Sequence, residues 1–145
     1  MSNPTHIRHS SWLPYTVVQS YALVNDIARY PEFLPACKKA CIHSHTETSM
    51  EATLTVTKGP LSYALTTRNS LTSPSLIEMQ LVKGPFRYLK GRWSFKPEKA
   101  GCVISLELSF DLSSRLLAMA LNPILQTLAE RITEAFKVRA QNLYG

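Results

Sequence analysis

Hydrophobic and polar residues alternate with a period of two over most of this chain, then switch to a helical period near its end. Seven stretches read as strands: Thr5 to Trp12, Ala36 to Thr46, Ser49 to Thr57, Leu61 to Asn69, Ser75 to Val82, Phe86 to Lys96 and Cys102 to Asp111. The last is the cleanest, with Ile104, Leu106, Leu108 and Phe110 opposing Ser105, Glu107 and Ser109. Between the first two strands, Tyr15 to Asn25 has helical spacing. Asp26 is expected to cap a short helix from Ile27 to about Phe33, limited by Pro31.

From Ser114 onward Leu117, Leu121, Ile124, Leu125, Leu128, Ile132, Ala135, Phe136 and Leu143 recur at steps of three and four, opposite Gln126, Glu130, Thr133, Glu134, Lys137 and Gln141. This predicts an amphipathic helix on the order of 45 Å long at about 1.5 Å per residue. Asn122-Pro123 is expected to divide it, with a short turn from Arg115 to Leu121 and a main helix capped by Asn122. One-sided alternation in consecutive strands predicts an antiparallel meander with one dry face, which the long helix must cover. The expected architecture is one α+β domain over residues 1–145, a seven-stranded antiparallel sheet wrapped around the C-terminal helix.

At 145 residues the chain is large enough for a real core, and its 45% hydrophobic and 18% charged content argues against disorder. A net charge of +6 favours anionic partners without choosing among RNA, phosphorylated ligands and acidic membrane surfaces. MSNPTHIRHSSW has neither a signal-peptide core nor an Arg-rich transit pattern, and no apolar run is long enough to span a bilayer. The expectation is a cytoplasmic protein, most simply a bacterial one, with any membrane contact peripheral to the inner membrane. Three cysteines, Cys37, Cys41 and Cys102, are expected as free thiols.

Alternate turns of a meander lie at one end of the sheet. Lys58-Gly59-Pro60, Lys83-Gly84-Pro85, the start of the second strand and Ser113-Ser114-Arg115 should therefore gather there, ringed by Lys38, Lys39, Lys58, Lys83, Arg87 and Arg115. These cations form either a charged mouth between helix and sheet or a set of solvated turn residues. Lys90, Arg92 and Lys96 share the wet face of the sixth strand and are candidates for phosphate contact. No zinc-finger, helix-turn-helix or aromatic RNA-binding signature is present, and DNA is not expected as a partner.

Reaction chemistry is not expected. Cys37, Cys41, His43 and His45 resemble a metal set and would share a face by parity, yet the outer pair would lie about 26 Å apart at roughly 3.3 Å per residue. No serine sits in a Gly-x-Ser-x-Gly turn, and five glycines supply no phosphate loop. Glu107 and Asp111 fall on the wet face, His6 and His9 on opposite faces, and Glu32 and Glu78 are isolated acids.

Tyr30-Pro31-Glu32-Phe33-Leu34-Pro35-Ala36-Cys37, Lys83-Gly84-Pro85-Phe86, Trp93-Ser94-Phe95 and Ala135-Phe136-Lys137-Val138-Arg139-Ala140 resemble, in order, the coenzyme Q-binding and ribosome-association-toxin family of the START-like, polyketide-cyclase-like superfamily. The resemblance implies a helix-grip fold, a hydrophobic cavity between sheet and helix, no required cofactor and no catalysis. Eukaryotic members are lipid-binding proteins thought to bind coenzyme Q in support of respiration. Bacterial members include a toxin that binds the large ribosomal subunit and blocks subunit joining.

Two functions follow as expectations, the first leading because the fold directly supplies it and the second its alternative. In the first, ubiquinone or another polyprenyl lipid is bound, its tail buried at roughly 25 cal/mol per Å² of apolar surface. By strand and helix parity, together with the cavity the resemblance implies, Leu54, Val56, Tyr63, Met79, Leu89, Trp93, Leu106, Leu128 and Ile132 would line it, each with plain core filling as the alternative. In the second, the basic surface meets ribosomal RNA.

Overall fold

The computed structural model describes residues 4–145. Seven strands, β1 (Thr5–Leu13), β2 (Cys37–His45), β3 (Ser49–Lys58), β4 (Leu61–Thr72), β5 (Leu76–Lys83), β6 (Phe86–Glu98) and β7 (Gly101–Leu112), form one antiparallel sheet in the order β1-β7-β6-β5-β4-β3-β2. The hairpins from β2 to β7 are the expected meander. β1 closes against β7, with Thr5 opposite Phe110 and Leu13 opposite Cys102, a pairing that alternation alone does not specify.

Helix α1 (Val17–Asn25) starts at Thr16, whose hydroxyl accepts from the Gln19 N–H at 3.0 Å while the Gln19 side chain accepts from the Thr16 N–H at 3.0 Å. This reciprocal cap satisfies two otherwise orphaned donors. The following Ile27–Glu32 segment is a 3₁₀ helix. The expected Asp26 side-chain cap is not formed; its backbone carbonyl instead accepts from the Arg29 N–H.

The C-terminal region divides later than expected. Helix α2 (Arg115–Leu125) contains Pro123, and α3 (Leu128–Tyr144) follows a break at Gln126-Thr127. Ser114 caps α2 through the Leu117 N–H. Pro123 withholds one donor, from the Met119 carbonyl. Met119 is 72% exposed, so solvent can serve that carbonyl and the helix continues for another half turn. Gln126 N–H still reaches the Asn122 carbonyl at 3.0 Å before the chain leaves helical geometry at Thr127.

Two side chains of the terminal helix depart from the expected stripe. Thr133 is fully buried rather than wet, because its hydroxyl donates to the Ala129 carbonyl at 3.0 Å and so loses its polarity within the helix. Leu143, expected on the buried stripe, is exposed near the end of α3.

β2 carries register shifts between Cys37 and Lys39 and between Ile42 and Ser44. Each flips the parity. Cys37 therefore points inward with Ala40 and Ile42, whereas Cys41 is exposed, correcting the expectation that Cys37, Cys41, His43 and His45 share a face. His43 Nε2 is 2.6 Å from Thr53 Oγ1, and among the described residues no three metal-ligating side chains cluster. No helix of the described residues is long and apolar enough to cross a membrane.

Candidate functional site

A cavity of about 160 Å³ lies between the sheet and α3. Its walls come from the inward positions of β3 to β7, from Val24 to Leu34 on one side, and from Leu125, Leu128, Ile132 and Phe136 on the helical side. Of the parity-based lining set, Leu54, Met79, Leu89, Trp93, Leu106, Leu128 and Ile132 are on these walls. Val56 and Tyr63 are not. They face each other across β3 and β4, two residues beyond Leu54 and Leu65 toward the Lys58–Leu61 turn. Parity assigns a face but not a depth along the strand.

Several walls were not anticipated. Tyr30 and Leu34 belong to the Tyr-Pro-Glu-Phe-Leu-Pro segment, which acts here as a clamp. Phe136 of α3 packs edge-on against Tyr30, Phe33 and Trp93, with ring centroids 5.4, 5.1 and 5.2 Å apart. Such pairs are each worth about 0.5–1.5 kcal/mol beyond simple burial. Arg139, one turn on, lies 5.0 Å from the Phe33 ring and donates to Glu32 at 3.0 Å. Glu32 also accepts from Arg29 at 2.9 Å; these bonds, that from Arg29 foremost, hold its carboxyl below the usual carboxylate range. Gly91 makes room for Met79, whose terminal methyl crowds the place a Cβ would take.

The lining is apolar apart from a few groups. The Tyr30 hydroxyl is committed to the Val24 carbonyl, and burial pushes its pKa far above the usual phenol value. Asn25, Thr67 and Asn69 are the other polar side chains on the walls. Thr67 and Asn69 lie on the same face of β4 as Leu65, so period-two reading would have found them had polar residues been considered as lining. The lining contains no carboxylate, histidine or cysteine.

The open end is built as the meander requires. Thr57 N–H donates to Ala36 O at 2.9 Å, Ser113 N–H to Pro85 O at 3.1 Å, and Lys58 Nζ to Ala120 O at 2.7 Å. These bonds bring both Lys-Gly-Pro turns, the start of β2 and helix α2 to one end. Ala36 takes a left-handed φ of 65° to turn the chain there. Lys38, Lys39, Lys83 and Arg115 are exposed and make no ion pair among the described residues, whereas Arg87 lies 3.6 Å from Asp111.

The outer sheet face is different. Arg8, Glu107, Arg92 and Glu78 occupy one cross-strand row, with Arg8–Glu107 at 3.4 Å and Arg92–Glu78 at 3.3 Å. Lys90 and Lys96 are exposed on the same strand as Arg92. The candidate cations thus fall into two groups, with acids interleaved among those of the sheet face. Lys38, Lys39, Lys83 and Arg115 carry unpaired positive charge at the open end, while Lys90 and Lys96 carry it on the sheet face.

Residues 13–137 match the family described as polyketide cyclase/dehydrase and lipid transport. The chain is 46% identical over 143 residues to the "Ribosome association toxin RatA" of Pseudomonas aeruginosa, covering 97% of this chain and 99% of that protein. It is 31% identical over 127 residues to the mitochondrial "Coenzyme Q-binding protein COQ10" of Drosophila melanogaster, covering 84% of this chain and 52% of that protein. Among solved structures, a Thermus thermophilus protein superposes with a TM-score of 0.86 at 14% identity, covering 97% of this chain and 100% of its own. A START superfamily protein from Mycobacterium smegmatis does so with 0.79 at 17%, covering 95% and 98%. At these identities the structural matches carry the fold alone: α+β, helix-grip, START-like.

Proposed function

The chain belongs to the polyketide cyclase/dehydrase and lipid-transport family, and from that premise we propose that it is a cytoplasmic bacterial ribosome-association factor rather than an enzyme. The observation that carries this reading is the 46% identity, extending over nearly the full length of both chains, to a relative named as a ribosome association toxin. The cations without ion pairs at the open end, Lys38, Lys39, Lys83 and Arg115, support it as the surface that meets ribosomal RNA. A lining without carboxylate, histidine or cysteine, whose one phenol, Tyr30, is committed to the Val24 carbonyl, supports a non-catalytic cavity.

The test is co-sedimentation with purified large ribosomal subunits over a salt series. Phosphate contacts release counterions, so binding should weaken steeply with salt. Charge reversal of Lys38, Lys39 and Lys83 together should flatten the log–log slope by about two to three, at roughly 0.7–0.9 for each phosphate no longer neutralised. Reversal of Lys90 and Lys96 should change it less. Binding that is unaffected by salt and by the first triple variant would reject the RNA surface.

A second reading is favoured by the cavity itself. Its volume is close to the ~150 Å³ in which an apolar protein site accommodates one benzene. One six-membered ring fits, which suits a quinone head group and agrees with the coenzyme Q-binding relative. A long polyprenyl tail does not fit, because pockets for drug-sized ligands run to about 300–1,000 Å³. The tail of a ubiquinone would then extend out of the cavity.

A further inference from the structure

Asn69 is 3% exposed, lies on the cavity wall and is held by one bond: its Oδ1 accepts from the Thr67 hydroxyl at 3.0 Å. That bond orients the amide and leaves the Nδ2 donors without a protein acceptor among the described residues. Asn25 Oδ1, from the end of α1 on the same cavity, is buried and unpartnered. A buried polar group with no partner costs on the order of 1–3 kcal/mol, so the polar atoms of this small cavity need an explanation.

Water alone is a poor one. The volume equals that of about five liquid waters, each of which needs two to four polar partners, and the remaining walls are nearly all hydrocarbon. A single organic ring carrying an acceptor meets the hydrocarbon walls and the Asn69 amide together, placing its carbon frame against Trp93, Leu106 and Ile132 and its oxygen against the Asn69 amide. Asn25 Oδ1, itself an acceptor, is left for a hydroxyl or water donor.

The geometry points to Asn69, set by Thr67, as the polar pole of the cavity, selecting a six-membered ring that bears a carbonyl or hydroxyl oxygen over a plain hydrocarbon ring. This rests on the ring-binding reading above and goes beyond it by naming the recognition group and what it recognises. Asn69 is the specificity residue, and Thr67 positions it.

Two isosteric probes separate the claims: cyclohexanone and methylenecyclohexane, which differ in C=O against C=CH₂. Each is titrated into the ¹⁵N-labelled full chain and into Asn69→Leu, following backbone and side-chain amide resonances. Both probes are expected to shift cavity residues, and only the ketone should move the Asn69 side-chain amide. Because the ketone is better solvated in water, absolute affinities do not decide the matter. The ketone-to-hydrocarbon affinity ratio should fall about tenfold in Asn69→Leu, as expected for losing one hydrogen bond and leaving an oxygen unpaired.

If the hydrocarbon binds but the ketone leaves the Asn69 amide unmoved, or the ratio is unchanged in the variant, the polar pole is wrong and the ring site stands. If neither probe binds, the ring-binding reading fails and the pole with it. The wild-type titration decides the question even if Asn69→Leu does not fold.

Discussion

Filling the cavity should separate its role from that of the basic surface. Ala52 is 3% exposed on β3 and its side chain lines the cavity. Ala52→Leu adds three carbons. At about the ~30 Å³ of a liquid water each, they occupy roughly 90 Å³, just over half of the 160 Å³ available. Two routes give similar gains. Three buried methylene equivalents at about 0.8 kcal/mol contribute about 2.4 kcal/mol. Removing roughly 90 Å³ of void at about 24 cal/mol per Å³ contributes about 2.2 kcal/mol. Ordering the leucine side chain costs about 0.5–1 kcal/mol. The net is about 1.5 kcal/mol, or roughly 3–6 °C in melting temperature for a domain of this size.

Urea denaturation and calorimetry measure that gain, and the probe titration should show both rings excluded. Salt-dependent co-sedimentation with the large subunit should be unchanged, since Ala52 is remote from the exposed cations. A loss of about 1–3 kcal/mol, the usual penalty of overpacking, would show that the void is not there to be filled. Lost ribosome binding in a stabilised variant would refute the separation of the two surfaces.

Other expectations follow from the clamp formed by the 3₁₀ segment and α3. Tyr30→Phe leaves the Val24 carbonyl without its side-chain donor and should cost about 1–1.5 kcal/mol in urea unfolding, with the aromatic packing intact. Phe136→Ala removes the ring at the centre of three aromatic contacts and should cost at least 3–5 kcal/mol, read as a large fall in urea midpoint. Glu32 has a lowered folded-state pKa, so its contribution is fully present above the ordinary carboxylate range and is lost as pH falls through the lowered value. Glu32→Gln should therefore flatten the acid limb of the stability-versus-pH curve while leaving its alkaline side unchanged in shape. An identical acid limb in the variant would assign that limb to other carboxylates.

The relation between sequence and structure differs from element to element. β3 to β7 and their hairpins were legible because one face of each strand is dry, and period-two alternation records that one-sidedness directly. The same bookkeeping located the open end, since alternate hairpin turns of a meander share an edge. It misread β2, where two bulges each reverse the parity, because a bulge is a property of pairing with β3. It also misplaced the helix break, because the residue that withholds a hydrogen bond, Pro123, lies where solvent can replace it.

For the site, alternation identified most of the dry face but could not say where that face is filled and where it is hollow. Leu54 and Val56 share a face of β3, yet only Leu54 lies on the wall. Charge composition likewise counted cations without showing which are matched: Arg92 faces Glu78 across neighbouring strands, whereas Lys38, Lys39 and Lys83 are exposed and make no ion pair among the described residues. The sequence by itself determined the periodicities, the fold class and the family motif, all set by neighbours along the chain. Tertiary structure alone decided the β1–β7 closure, the single-ring volume of the cavity and the exposure of the Asn69 amide to it, because each depends on distances between segments far apart in sequence.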